Sequence, residues 1–405
     1  MNVPRPILSG LRIVELSAFV SAPLGGATLA ELGADVVRVD PPGGGIDFHR
    51  WPLHGGHSLY WAGLNQGKRS VAIDTRNEKG QALVADLVAH AGILLTNLPV
   101  RGWSSYERLS ARRSDLIMTV LTGNPDGSAA VDYTVNAAVG FPWVTGPEES
   151  REPVNHVLPA WDALTGYLVA TAIIAAELHR VRTGEGQLVT VSLMDVALSI
   201  AGHLGFIGEA QLNPEARGRY GNDLFGTFAH DFVTSDRRSV IVVALTPRQW
   251  NSLVDAVDIR DAVGTLEKRL GLDLSEEGNR FRARNEICAL LAPWIAARPL
   301  ADVAAVFDRG GVLWDRYQTF KELVSEDERC SPGNPMLAPV DQPEIGRYLR
   351  ATSPIGFGRS GRMPPAASPL LGHDTAEVLG TWLELDRKQI SALEGEGIIG
   401  GGTSA

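Results

Sequence analysis

Arg12-Ile13-Val14-Glu15-Leu16-Ser17-Ala18-Phe19-Val20-Ser21-Ala22-Pro23, followed by Gly33-Ala34-Asp35-Val36-Val37-Arg38-Val39-Asp40, decides the fold. The run Arg12 to Leu16 is short, apolar and bounded, as a buried strand must be. Ser21-Ala22-Pro23 then offers a helix start, with a polar cap and a proline in the first turn. That helix should run to about Leu32, with Gly33 ending it and Asp35 to Val39 forming the next strand. The alternation continues outward. Ser70 to Ile73 reads as a strand, Asn77 caps a helix from Glu78 to about His90, and Gly92 to Leu95 and Leu116 to Leu121 read as further strands. Strands separated by helices predict an α/β, Rossmann-like parallel sheet with helices on both faces.

Further along, a long helix is expected from about Pro159 to Arg182, closed by Gly184, then a short strand at Leu188 to Val191 and a helix from Met194 to about Glu209. Asn213 to Asp223, rich in Arg, Gly and Asn, reads as a linker, and Thr246-Pro247 starts another helix. The chain has 405 residues, more than one core usually supports. We therefore expect residues 1–212 to form the first part of a large domain and residues 213–330 a linker and a smaller α+β domain. Residues 331–405 should complete the large domain, through an extended segment dense in Pro and Gly (331–372), two short helices and a frayed end from Gly400 to Ala405.

The formal charge is -10 and no long run of Lys or Arg occurs, which argues against nucleic acid or an acidic membrane as partner. An anionic ligand must then be held by a local basic pocket. The opening Met-Asn-Val-Pro-Arg-Pro lacks the apolar core of a signal peptide. Leu164 to Ala176 is the most apolar stretch, too short to span a bilayer and ended by Glu177, His179 and Arg180. Cys288 and Cys330 are the only cysteines, which suggests a reducing, cytoplasmic setting without a disulfide framework or a metal site built on cysteine. No two histidines have metal-ligand spacing on one helix, so no metal is expected.

Several chemistries can be weighed on single segments. A strand ending in Asp40 invites a dinucleotide reading, but the first turn has no glycine fingerprint, and Gly43 to Gly45 follow the second strand instead. No Gly-x-Ser-x-Gly elbow is present for a serine hydrolase. Gly67-Lys68-Arg69 could hold phosphates, or could equally be a solvated turn before a strand. Asp162 opens the long helix, where the dipole and free amides favour an acidic side chain for stability alone. The same forces keep a carboxylate ionised, as a nucleophile must be. Both readings stay open on these residues.

The ordered set of segments resembles the class III CoA-transferases of the carnitine and formate type. The resemblance rests on Leu8 to Leu16, on Leu32-Gly33-Ala34-Asp35-Val36-Val37-Arg38-Val39-Asp40-Pro41-Pro42-Gly43-Gly44, on Leu64 to Asp74, and on Arg182-Thr183-Gly184-Glu185-Gly186-Gln187 through Asp195. It spans nearly the whole chain in order. It implies that Asp162 is the nucleophile and that coenzyme A, carried as part of the substrate with no tightly bound cofactor, is contacted by Val20, Ser21, Ala22, Lys68, Asn97 and Leu98. Arg38 and Arg101 are implied as phosphate partners. It also implies an interlocked homodimer, which the Pro- and Gly-rich return from 331 to 372 would suit.

Departures narrow the expectation. The family's Asn-Phe-Arg-Pro-Gly is here Asn97-Leu98-Pro99-Val100-Arg101-Gly102-Trp103. Related racemases carry a His just before an Asp where this chain has Val131-Asp132, so that half-site is missing. Ser17 to Gly26, Arg101 to Trp103, Asp132-Tyr133-Thr134-Val135-Asn136 and Val154 to Asp162 resemble one branch, whose members move CoA between the two carboxyl groups of a single C5 diacid. The implied partner is the acyl-CoA thioester of a small dicarboxylic acid. Arg50, His54, His57, Asn155 and His156 are the polar candidates for gripping the diacid, loop hydrogen bonding being the alternative for each. An intermolecular CoA-transferase, a racemase and a non-catalytic CoA-binding module are the competing functions.

Overall fold

In the computed structural model, which describes residues 5–400, the first apolar runs pair side by side. Six parallel strands, β1 (Arg12–Leu16), β2 (Asp35–Asp40), β3 (Arg69–Ile73), β4 (Ile93–Thr96), β5 (Ile117–Thr122) and β6 (Gln187–Ser192), stand in the order β3-β2-β1-β4-β5-β6. The chain reverses direction across the sheet between β1 and β4, and in open α/β sheets the crevice beyond the strand ends at such a point is where ligands sit. Alternate residues feed opposite cores. Ile13, Val36, Ile93 and Ile117 pack with Leu29, Val169 and Ile173, whereas Val14, Val37, Leu94 and Met118 pack with Val84, Leu87 and Val88. Burial on both faces explains why these strands read as continuous apolar runs.

The helices that matter for the site are α1 (Ser21–Glu31), α2 (Glu78–Ala91), α3 (Asp132–Ala138), α4 (Ala160–Thr183) and α5 (Leu193–His203). Asn77 accepts from Lys79 N and caps α2, and Gly184, at φ 79°, closes α4 by donating to Arg180 O. Two expectations are corrected. Ser21 does not cap α1: it is the first helical residue, behind Val20, and its hydroxyl is used elsewhere. The helix expected from Met194 to Glu209 stops at His203, and a second helix starts at Phe206 after a bend of 64°. α4, at 24 residues, is longer than its apolar centre suggested. Length and composition alone would let it cross a membrane, yet Trp161, Thr165, Gly166, Val169, Ala170, Ile173 and Ala176 form a buried face of a core helix.

The chain divides into two compact units. Residues 5–139, 156–208 and 328–400 make the first. The second holds residues 140–155 and 209–327, so residues 140–155, placed in the first domain by the sequence reading, group with the second unit. Arg219 accounts for this by donating from Nε to Trp143 O at 2.8 Å, with a further bond to Glu152 O. Within the second unit β7 (Phe228–Val233), β8 (Ser239–Ala244) and β9 (Leu313–Arg316) form an antiparallel sheet with β8 central. Its core gathers Phe228, Val240, Val242, Leu253, Ile287 and Phe307.

The return segment is not wholly extended. It contains a hairpin of β10 (Leu337–Gln342) and β11 (Gly346–Ala351), whose turn is made by Glu344 in a left-handed conformation, φ 63°. After two short helices, β12 (Ile399–Gly400) pairs antiparallel with β3. Of the end expected to fray, Gly400 is held against Ala72 and the remainder lies outside the described residues. The same holds for the start of the chain, where a signal peptide was not expected.

Candidate active site

α1 and α4 cross closely because small residues meet. A Cβ on Gly166 would lie 2.9 Å from Ser21 O and 3.0 Å from Leu24 Cβ, and one on Gly25 would lie 3.2 Å from Gly166 O. This crossing brings the start of α1 to the first turn of α4. Ser21 Oγ donates to Asp162 Oδ1 in a short hydrogen bond. A cavity of about 640 Å³ opens there, lined by Phe19, Ser21, Asn97, Leu98, Gly123, Val131 and Asp162 among others. It lies beyond the ends of β1, β4 and β5, at the switch point of the strand order.

The turn from β1 into α1 is held from two sides. Asn97, just past β4, accepts from Ala18 N at 2.9 Å and donates to Ala18 O at 2.7 Å. Asp47 accepts from Phe19 N at 3.1 Å, and Phe19 sits at φ 65°, a conformation that a bulky residue keeps only when its surroundings impose it. Asp47 is in turn held by Arg38 at 3.1 Å.

The Asp162 carboxyl is held above the usual carboxylate range. Burial is the main cause and the nearby Asp132 adds to it, while the Ser21 hydroxyl and the Arg50 guanidinium pull the other way. Arg50 lies over the rings of Phe19 at 5.3 Å and Tyr60 at 5.4 Å. Its guanidinium makes no hydrogen bond or ion pair among the described residues. The Tyr60 phenol is pushed up to about 12, chiefly by burial, so it stays protonated beside Asp162.

The residues expected at the site are dispersed as follows. Ser21, Asn97 and Leu98 line the cavity; Ala22 is buried under the turn and Val20 precedes α1. Arg38, expected on the CoA phosphates, and Lys68, expected to contact CoA, turn inward. Arg38 is 1% exposed and grips Asp40 with two bonds, of 2.8 and 2.9 Å. Lys68 Nζ bonds Glu15 Oε1 at 2.8 Å, Pro23 O at 2.8 Å and Asn65 Oδ1 at 2.9 Å. Burial drags Lys68 down to about 8 despite Glu15, whereas for Arg38 the Asp40, Glu15 and Asp47 carboxylates overcome the cost of burial and raise it. Both cations are committed to protein carboxylates that support the turn. Lys68 fits because Gly26 has no side chain: a Cβ there would lie 1.7 Å from Glu15 Oε2.

Arg101 is exposed, with its backbone tied to Ser104. His54 pairs with His57 in a two-residue hairpin, and His57 Nδ1 meets Glu344 at 3.1 Å beside a different cavity of about 430 Å³. Asn155 belongs to the second unit. His156 lies close to the first turn of α4, its Nε2 2.7 Å from Asp132 Oδ1. Among the described residues, no group of three or more His, Cys, Asp or Glu side chains could hold a metal ion. Sequence reading missed Asp132, Phe19 and Tyr60 as parts of the site. Only Asp132 carries a local signal, as an acid at a helix start; the sequence reading uses it for the branch resemblance and against the racemase pattern, not as part of the site.

This geometry can do one thing well: present a half-buried, hydrogen-bonded carboxylate to an acyl group in a cavity at a sheet switch point. The family profile described as CoA-transferase family III matches residues 8–375. The chain is 52% identical over 401 residues to the 2-methylfumaryl-CoA isomerase of Chloroflexus aurantiacus, covering 98% of both. It is 28% identical to the succinyl-CoA:mesaconate CoA-transferase of Haloarcula hispanica, over 92% of this chain and 95% of that one. Among solved structures, a CAIB/BAIF family protein from Brucella suis superposes with a TM-score of 0.76 at 26% identity, covering 93% of this chain and 99% of that one. By the extent of the profile match and the identity shared along its length, the chain belongs to CoA-transferase family III.

Proposed function

We propose that this protein moves coenzyme A between the two carboxyl groups of one diacid, converting 2-methylfumaryl-CoA to 3-methylfumaryl-CoA, with Asp162 as the nucleophile. The observation that carries the reading is the Asp162 carboxylate, bonded by Ser21 at the cavity wall, in a chain 52% identical to a 2-methylfumaryl-CoA isomerase. One Asp162 oxygen attacks the C1 thioester carbonyl, forming a mixed anhydride and releasing CoA thiolate. The thiolate attacks the Asp162 acyl carbon, freeing the diacid carboxylate and leaving an aspartyl-CoA thioester. The C4 carboxylate attacks that thioester, thiolate leaves again, and its attack on the C4 carbonyl returns Asp162 as a carboxylate. Covalent catalysis splits one difficult exchange into easier steps.

The protein's part is positional and electrostatic. The cavity must keep thiolate and diacid at high effective concentration and exclude water, which would hydrolyse either intermediate. Ser21 Oγ, already on Oδ1, can donate to the oxyanion formed at Asp162 in the two attacks on its acyl carbon, by thiolate and by the C4 carboxylate. Arg50, whose guanidinium makes no hydrogen bond or ion pair among the described residues, suits the free carboxylate of the diacid. Ser21, Asn97 and Leu98 are the residues we assign to the CoA arm, with exposed Arg101 for its phosphates. We further infer a cytoplasmic homodimer. Leu164, Tyr167, Leu168, Leu178 and Val181 stand exposed along α4 at helical spacing, an apolar stripe suited to a second copy.

Turnover of 2-methylfumaryl-CoA in the presence of isotope-labelled free mesaconate tests the reading. Isomerisation without label in the product supports transfer within one substrate. Label in the product would show the intermolecular reaction instead, and CoA affinity without turnover would show a binding module.

A further inference from the structure

Taking Asp162 as the reacting group, and so resting on the reading above, we propose that Asp132 is a positioning residue that caps the nucleophile's helix from outside it and fixes where the Asp162 carboxylate points. The first turn of any α-helix has amides without helical partners, usually served by the side chain of the preceding residue. α4 is preceded by Pro159, which has no such oxygen, and no local side-chain cap is present. Asp132, thirty residues earlier on α3, takes that place. Its Oδ2 accepts from Trp161 N at 2.7 Å and from Asp162 N at 3.0 Å. The nucleophile's own backbone amide is therefore one of the two it holds.

α3 grips the same turn a second time, through Asn136 Oδ1, which accepts from the Trp161 indole at 3.2 Å. The other Asp132 oxygen is taken by His156 Nε2 at 2.7 Å, and the His156 ring lies edge-on to Tyr133 with centroids 5.7 Å apart. Asp132 is only 2% exposed, so three donors hold a buried carboxylate that water does not reach. Its charge also acts on its neighbour. The groups facing the Asp162 carboxyl are Ser21, Arg50, Tyr60 and Asp132, and of these Asp132 disfavours the ionised form while Ser21 and Arg50 favour it. Position and basicity of the nucleophile thus depend on a residue outside the lining of the cavity.

Asp132→Ala and Asp132→Asn separate these effects. Asparagine can turn its carbonyl oxygen to the two amides and its NH₂ to His156, keeping the cap while removing the charge. A displacement on the order of an ångström at a reacting group costs roughly 10²-fold in rate. Asp132→Ala should therefore lower kcat roughly 10- to 100-fold with KM for the CoA thioester changed about threefold at most, and Asp132→Asn should restore most of kcat. In Asp132→Asn the acidic limb of the pH profile of kcat/KM should move to lower pH, since a negative neighbour of Asp162 is gone. If Asp132→Ala does not fold, the limb in Asp132→Asn decides alone.

Unchanged kcat in Asp132→Ala, or a limb in Asp132→Asn that stays or moves to higher pH, overturns the proposal. Mass-spectrometric location of the CoA adduct in the same samples separates the two failures. An adduct on Asp162 with no effect of the Asp132 variants sinks the positioning role alone, whereas an adduct elsewhere sinks the nucleophile.

Discussion

Replacing Ser21 by alanine removes the one hydroxyl that, among the described residues, bonds the Asp162 carboxylate, and the size of its effect can be worked from the site. A hydrogen bond to a charged group contributes about 1.5–3 kcal/mol. Asp162 is only partly buried, so water recovers some of this, and we take the low end, about 1.5 kcal/mol. The sign follows from which form is held. Ser21 favours ionised Asp162, so its loss lifts a carboxyl that burial has already raised. The acidic limb of kcat/KM should move to higher pH. Above the limb the rate should still fall about tenfold or more, because the donor to the oxyanion is also lost. Ser21→Thr keeps the hydroxyl and should keep the limb. Initial rates of CoA migration, followed by chromatography across the acid range, measure this. A limb that stays in place or moves to lower pH in Ser21→Ala would refute the argument that this hydroxyl poises the nucleophile.

Asp162→Asn should reduce turnover roughly 10⁴-fold or more. Its folded pKa lies above the unfolded value, so the ionised group weakens the fold at neutral pH, and the melting temperature should stay level or rise, as calorimetry can measure. Lys68→Met takes the nearer cation from buried Glu15, leaving only Arg38 at 3.8 Å, and should cost about 3 kcal/mol in denaturant unfolding; normal stability with a raised KM for CoA thioesters would return Lys68 to CoA. Arg50→Ala should raise KM for the diacid thioester roughly 10- to 100-fold, the loss expected for a charged hydrogen bond. A thioester of the same acyl chain without its free carboxylate should lose little.

The path from sequence to site was legible where the signals are local. Gly33, Asn77 and Gly184 mark element ends that the structure reproduces within a residue or two, because caps and left-handed closures are made by the residue in place. Asp162 at the opening of α4 was legible for the same reason. What escaped depends on partners far along the chain. Gly67-Lys68-Arg69 looks like a solvated turn, and only the slot between Glu15 and Gly26 shows why Lys68 is buried. Ser21 resembled a cap until α4 supplied a stronger acceptor. Asp132 serves amides thirty residues away, which no local pattern encodes. The β10–β11 hairpin was hidden by Pro339 within a strand and by Glu344 where a turn usually has Gly or Asn.

Peptide-resolved mass spectrometry of enzyme quenched during turnover, with hydroxylamine trapping in parallel, tests the nucleophile most directly. The account predicts a CoA thioester, and its hydroxamate after trapping, on the peptide that contains Asp162 and on that side chain. A CoA adduct on a different residue, or rapid isomerisation with no adduct on any peptide, would contradict it.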